Sequence, residues 1–260
     1  EPVFEPTTVW YEPCIDDITS DNVQFDRSGQ WWQWTLETTR KMIEASDNQR
    51  RYLVAMPDLV ENADTLAALV GTEELLYTMA DQPEHVLRLQ EELLPLWYQV
   101  FDGIYDLIKD EDGGRAFIAF QIWAPGKLAK LQCDYSAMIS PAMFEKFVLP
   151  YLIPQAEWLD YSIYHLDGPD AVCHLELLMT IDGLDCLQWT PGAGQPDGGD
   201  PCWDHIYRTA LDCGKMIHVG SAKENVIPFL KRFGKKDVYI LTHTESEEEG
   251  RELLEEVRKL

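Results

Sequence analysis

The chain has 260 residues, a length that suits one large domain or two small ones. Its 46 acidic residues outnumber 21 basic residues, which gives a formal net charge of -25. Nucleic acids and anionic membranes both require a basic surface, so this charge argues against either as a partner. No apolar run is long enough to span a bilayer, and the six cysteines form no Cys-x-x-Cys pair. We therefore expect a protein of the reducing cytoplasm.

Apolar runs and amphipathic segments alternate along the chain. The apolar runs predict seven strands, at residues 8–12, 51–56, 116–122, 162–165, 184–189, 215–219 and 238–241. The amphipathic segments predict helices at residues 31–45, 64–70, 72–80, 83–109, 170–179, 203–211 and 225–233, from Pro141 after the N-cap Ser140, and from Ser246.

This alternation predicts a parallel sheet covered by helices. An open doubly wound sheet is one solution, but no glycine-rich phosphate loop follows an early strand. We therefore expect an α/β fold of the (β/α)8 TIM-barrel type, as a single domain over residues 1–260. Its first strand is missing from the chain or unrecognised. Barrels of this type carry their chemistry at the C-terminal ends of the strands.

Two histidines and a carboxylate occupy such strand ends. His165 and Asp167 are two residues apart and so point to the same side of a strand, while His243 ends the last predicted strand. Together they could bind a divalent metal ion, such as zinc, iron or manganese, and leave positions open for substrate. In the alternative interpretation, both histidines hydrogen-bond loop backbone and Asp167 caps the following helix.

The strand ends also predict a ligand pocket rich in aromatic and polar side chains. Its predicted lining residues are Trp10, Glu12, Asp58, Gln121, Trp123, Tyr164, Gln188 and Trp189. The alternative for each aromatic is a layer that caps the barrel core. Residues 131–140 are predicted to form a loop over the barrel mouth, in which Asp134 is a general acid or base, or an Asx-turn residue. The Gly/Pro-rich residues 190–200 predict a flexible lid.

Four segments resemble the uroporphyrinogen decarboxylase superfamily, namely residues 140–151, 165–168, 183–189 and 239–243. The resemblance covers roughly residues 50–260 and implies the same eight-stranded barrel. It also implies that the first strand precedes residue 1, so that the domain is incomplete at its N-terminus. In the family's corrinoid-linked methyltransferases, zinc activates a thiol through a His-x-Cys pair and a further Cys. Those positions correspond here to His165, Asp167 and His243, which replace both thiolates by harder ligands.

The resemblance implies methyl transfer from a small neutral or cationic substrate, with a corrinoid supplied by a partner protein. Cofactor-free decarboxylation is the alternative chemistry, in which His243 and a carboxylate would manage the proton. The decarboxylases hold their substrate with an Arg-rich segment that this chain lacks, and Glu12 is the nearest match to their catalytic Asp. A third hypothesis is a small-molecule binding protein without turnover. The oligomeric state is left open.

Overall fold

The computed structural model describes residues 2–4, 9–111 and 113–260, and only the backbone of residues 2, 4 and 10. The chain begins with two short antiparallel strands, β1 (Pro2–Phe4) and β2 (Val9–Tyr11). The strand predicted at residues 8–12 is thus confirmed as β2. The side chain of Trp10 lies outside the described residues.

Four helices follow: α1 (Gln30–Ala45), α2 (Asn62–Val70), α3 (Thr72–Asp81) and α4 (Pro83–Ile108). Each confirms a predicted helix to within two residues. Pro83 can open α4 because the first turn of a helix needs no intrahelical N–H donor. One face of α4 is buried along its whole length, as the spacing of its apolar residues predicts. This helix is therefore a central support of the core.

A short hairpin precedes the main sheet, formed by β3 (Arg115–Phe117) and β4 (Ile122–Ala124). The single strand predicted at 116–122 is wrong, because residues 118–121 form a turn in which Gln121 takes a φ of 50°. The strand predicted at 51–56 is reduced to one parallel bridge between Met56 and Phe117.

The main sheet has five parallel strands that lie side by side in chain order. They are β5 (Leu128–Gln132), β6 (Tyr161–Asp167), β7 (Cys186–Thr190), β8 (Met216–Gly220) and β9 (Val238–Leu241). The helices between and after them are α5 (Pro141–Phe147), α6 (Leu149–Trp158), α7 (Leu175–Met179), α8 (Asp204–Asp212), α9 (Lys223–Phe233) and α10 (Glu247–Lys259). The fold is therefore mixed α/β, as predicted.

Strand β5 corrects the prediction of a loop at 131–140. Residues 131 and 132 complete a fully buried strand, and residues 134–138 form one turn of 3-10 helix. The segment therefore leaves the sheet at the C-terminal end of β5, where it is held by Ser136, whose carbonyl accepts a hydrogen bond from His174 Nε2 at 2.9 Å.

The two faces of the sheet have different surroundings. On β6, Tyr164 and Leu166 belong to the large core shared with the helices, whereas Ile163 packs with Phe117 and Phe120 of the hairpin segment. Successive residues of a strand alternate between its faces, so His165 lies on the hairpin side. No helix in the described part of the chain is both long and apolar enough to cross a membrane.

Candidate functional site

A row of polar side chains crosses the hairpin-facing side of the sheet. The strand register pairs Gln132 with His165, His165 with Gln188, Gln188 with His218, and His218 with Tyr239. Each strand therefore contributes one hydrogen-bonding side chain at the same level. Parallel strands place aligned residues on one face, which explains how positions far apart in sequence meet.

Gln188 fixes the protonation pattern of His165. Its Nε2 donates to the carbonyl of Trp189 and to Thr190 Oγ1, both at 2.9 Å. Its Oε1 therefore serves as the acceptor for His165 Nδ1. A neutral imidazole that is protonated on Nδ1 carries its free lone pair on Nε2, which lies 3.9 Å from Asp167 Oδ2. The neutral imidazole of His165 would therefore present Nε2 as the nitrogen available to act as a base or a metal ligand.

His218 has a structural role in the same row. Its Nε2 donates to the carbonyl of Phe120 at 3.0 Å, and its ring stacks on Tyr239 with centroids 4.9 Å apart. Burial lowers the pKa of His218, which keeps the imidazole neutral. The hydroxyl of Tyr239 in turn donates to the carbonyl of Gln121 at 2.9 Å. These bonds fasten the hairpin turn to the sheet, and Gln121 takes part only through its backbone.

A buried lysine organises the C-terminal end of β5. Lys130 Nζ lies 2.5 Å from Asp58 Oδ1 and 3.8 Å from Glu61 Oε2, and it donates to Gln132 Oε1 at 2.6 Å. Because the Gln132 oxygen is occupied by the ammonium group, the Gln132 Nε2 is free to donate to Asp134 Oδ2, at 3.0 Å. A continuous chain of polar contacts therefore runs from Asp58 to Asp134.

The Asp64 carboxylate is hydrogen-bonded to the backbone of the 3-10 turn that carries Asp134. Asp64 accepts the backbone N–H groups of Asp134 and Tyr135, both at 2.8 Å. Burial raises the pKa of Asp64 to about 6. Burial also raises the pKa of Asp134; His165 partly opposes this rise, and Asp167 adds a smaller upward contribution. Both acids can therefore exchange protons nearer to neutral pH than ordinary aspartates do.

Asp64 and Asp134 open onto a cleft of about 400 Å³. The cleft lies between β2, α2 and the 3-10 turn, and it is lined by Val9, Tyr11, Pro13, Val60, Asp64, Ala67, Ala68, Gly71, Thr72, Gln132, Asp134, Tyr135 and Met138. These residues include two carboxylates and two tyrosines but neither lysine nor arginine. The cleft is thus acidic and partly aromatic, and of a size suited to a small molecule.

The structure separates several of the predicted pocket residues from this cleft. Tyr164 and Trp189 are each 1% exposed and belong to the helix-facing core, because strand alternation turns them away from His165. Trp123 is 50% exposed on the hairpin, where its indole N–H donates to Asp110 at 3.1 Å. Glu12 is exposed between the cleft residues Tyr11 and Pro13. Asp58 reaches the site through Lys130.

The three predicted metal ligands are not assembled as a group. His165 and Asp167 lie close together, whereas His243 is exposed in the loop after β9. Within residues 2–4, 9–111 and 113–260, no three His, Cys, Asp or Glu side chains form a cluster that could hold an ion. The metal site therefore stays a prediction of the sequence.

The predicted lid at 190–200 is anchored at its C-terminal half. Tyr207 donates its hydroxyl hydrogen to the Gly198 carbonyl at 2.6 Å, and Arg232 donates to the Gly199 carbonyl at 2.8 Å. Asp197 accepts the backbone N–H of Ala222 at 2.8 Å. The carbonyl of Pro196 also accepts the indole N–H of Trp203, at 3.3 Å, so residues 196–199 are tied to the helices that follow.

Sequence reasoning missed Lys130, Gln132, Glu61 and Asp64. Lys130 and Gln132 alternate with apolar neighbours along β5, and this period of two was the signal that could have identified them.

Neither the models of known protein families nor the curated proteins give a match to this chain. The function must therefore be inferred from the site itself.

Proposed function

We propose that this chain is a cytoplasmic barrel enzyme of the uroporphyrinogen decarboxylase superfamily that acts on a small neutral or cationic, methylated substrate. Asp134 would donate a proton to a neutral substrate or hold the positive charge of a cationic one. The leading reaction is methyl transfer. The observation that carries the proposal is the Asp134 carboxyl group, which has a raised pKa, faces a 400 Å³ cleft and is oriented by Gln132.

The barrel is supported by the order of the strands. The five strands β5 to β9 run parallel in strict chain order, with helices after each. In a doubly wound sheet the order reverses at a switch point, whereas in a barrel it continues around the axis. The parallel bridge between Met56 and Phe117 adds a further contact of barrel type beside the hairpin. In this barrel the polar row would face inward.

The substrate class is inferred from the charge and the aromatic groups of the cleft. Ionised Asp64 and Asp134 would attract a cation, and the exposed ring of Tyr11 offers a face for a methylated ammonium group. A polycarboxylate such as a porphyrinogen would meet these acids without a free cation among the described residues of the cleft, because the nearby Lys130 is already paired with Asp58. The site therefore favours a neutral or cationic substrate.

Asp134 can act in two ways that depend on the substrate. A neutral methyl ether loses its methyl group as the C–O bond breaks, and the departing oxygen takes the proton from Asp134. A quaternary ammonium leaves as a neutral amine and needs no proton, so ionised Asp134 would hold its positive charge. A reduced corrinoid bound by a partner protein would accept the methyl group and would supply the electron pair of the new bond. No step of this proposal requires the His165–Asp167–His243 metal, whose ligands the structure does not bring together.

Decarboxylation is the second candidate, because the raised pKa of Asp134 would also suit protonation of a carbanion after loss of carbon dioxide. A non-catalytic binding protein would use the same cleft without needing a proton donor. Both enzyme candidates would lose turnover when Asp134 is replaced and differ in their product, whereas a binding protein would show no turnover.

The test is turnover with a panel of methylated amines and methyl ethers, with reduced cobalamin as acceptor and methylcobalamin formation followed by absorbance. Asp134→Asn should abolish transfer from a neutral substrate, and Asp81→Asn, an exposed change on α3, should not. Release of carbon dioxide from a porphyrinogen, with no methyl transfer, would contradict the leading proposal and favour the second candidate.

A further inference from the structure

A second polar site lies behind the cleft, between α2, α4 and α6. It is a cavity of about 10 Å³ whose lining includes Glu61, Asn62, Gln90 and Gln155. These four side chains are only 4%, 4%, 0% and 1% exposed. The volume corresponds to roughly a single water molecule, since a site for one water needs about 10–15 Å³.

Each of these four residues has a buried polar atom without a hydrogen-bond partner in the described part of the chain: Glu61 Oε1, Asn62 Oδ1, Gln90 Oε1 and Gln155 Nε2. The orientation of two amides is fixed by their other ends. Asn62 Nδ2 donates to the Gln90 carbonyl at 3.1 Å, and Gln90 Nε2 donates to the Phe147 carbonyl at 2.7 Å. Their oxygens are therefore the atoms left to face a ligand.

We propose that this cavity binds one water molecule and that Glu61 is a neutral carboxylic acid that donates a hydrogen bond to it. The water would donate its two hydrogens to Asn62 Oδ1 and Gln90 Oε1. It would accept one hydrogen from Gln155 Nε2 and one from the protonated Glu61 Oε1. All four orphaned atoms and all four bonding positions of the water are then satisfied, which removes the cost of burying unpaired polar groups.

A metal cation fits the site less well. Three oxygens would suit a hard cation, but the Gln155 amide N–H presents positive charge to the same point. Burial also raises the pKa of Glu61 well above its ordinary value; the Lys130 ammonium opposes this rise, and the Asp64 and Asp58 carboxylates reinforce it. Glu61 Oε2 accepts the backbone N–H of Gln132 at 3.2 Å. Protonated Glu61 would therefore lie next to β5, the strand whose Gln132 side chain donates to Asp134. If Glu61 is neutral, the Lys130 ammonium forms its ion pair with Asp58 and its hydrogen bond with Gln132.

The direct test is infrared spectroscopy of the full chain at neutral pH, which resolves the carbonyl band of a protonated carboxylic acid. A band present in the wild type should disappear in Glu61→Gln. Glu84→Gln, whose side chain is 71% exposed, is the matched control and should leave the band unchanged. If Glu61→Gln leaves the protonated-acid region unaltered, Glu61 is ionised and the proposal is wrong.

The pH dependence of stability provides a second test that does not require the band to be resolved. Because the folded-state pKa of Glu61 is raised, the folded form binds the proton more tightly, and stability falls as pH rises above 4.5 toward the folded-state pKa. Glu61→Gln removes this loss, so its melting temperature relative to the wild type should increase with pH. A constant difference would count against a neutral Glu61. A melting temperature that rises with sodium, potassium or ammonium, but not with choline, in the wild type alone would show a cation site instead.

Discussion

The Nδ1 of His165 and the Oε1 of Gln188 form a hydrogen bond between paired positions of two neighbouring strands. Gln188 is 4% exposed, and both of its amide hydrogens are directed to other acceptors. His165 Nδ1 must therefore be the donor and Gln188 Oε1 the acceptor. The sheet register therefore decides which nitrogen of His165 is available for chemistry. Such partners orient metal-binding and catalytic histidines in many proteins.

Replacement of Gln188 should change the tautomer of His165. In the wild type at mildly alkaline pH, we expect nitrogen NMR to show Nδ1 protonated and Nε2 bare. In Gln188→Leu the acceptor is lost, so the proton should redistribute between the two nitrogens. Gln195→Leu, a change at an exposed loop position, should leave the spectrum as in the wild type. A wild-type His165 protonated on Nε2 would contradict this geometry.

Lys130→Met should destabilise the protein and weaken the hydrogen bond by which Gln132 orients Asp134. The change removes the buried donor to Gln132 Oε1, and an unsatisfied buried acceptor costs about 1–3 kcal/mol. We expect a loss of that size in the free energy of unfolding, measured by urea denaturation. Lys41→Met is the control, because its partner Glu37 and Lys41 itself are 63% and 69% exposed and such surface pairs contribute about 0–1 kcal/mol. Equal effects of the two changes would argue against the polar chain.

The affinity of the cleft for a cation should depend on pH through Asp64. Its pKa is raised to about 6, so its carboxylate forms as pH rises through that value and attracts the cation more strongly. Calorimetric titration with tetramethylammonium should show tighter binding above pH 6 than below it. Asp64→Asn should remove most of this step, whereas the exposed Asp81→Asn should retain it. Affinity that is independent of pH in the wild type would place the cation elsewhere.

The metal prediction is tested by elemental analysis of protein purified without a histidine tag. If His165, Asp167 and His243 come together around an ion, zinc, iron or manganese should be found in near-stoichiometric amount. His165→Ala and His243→Ala should each remove it, and His85→Ala should not, because His85 is on α4. Wild-type protein that stays metal-free after incubation with each of these ions would eliminate the site.

The secondary structure was largely predictable because long amphipathic helices and buried strands carry periodic signals. The last three strands and all four helices before the hairpin follow the sequence patterns closely. Strand β5 was not predicted because Lys130 and Gln132 interrupt its apolar run. The burial of a lysine is explained only by its partners, Asp58 and Glu61. Those partners come from a segment about 70 residues away, a proximity that no local pattern encodes.

The site was predictable only in part. The spacing of His165 and Asp167 predicted that both side chains lie on the same face of a strand, and in the structure His165 Nε2 is 3.9 Å from Asp167 Oδ2. The same alternation, applied to Tyr164 and Trp189, would have placed them in the helix-facing core. The role of Gln188 depends on strand register, which is a property of the folded sheet.

The most direct test of the proposed substrate class is a comparison of three ligands of nearly equal shape: choline, its uncharged carbon analogue dimethylbutanol, and the anion dimethylbutyrate. Their dissociation constants for the wild type are measured by calorimetry at neutral pH, and again for Asp134→Asn. We predict that choline binds at least as tightly as the alcohol and about tenfold or more tighter than the anion, a difference of about 1.4 kcal/mol. Asp134→Asn should narrow that difference. Tightest binding of the anion, unaffected by Asp134→Asn, would contradict the assignment of the cleft to neutral or cationic substrates.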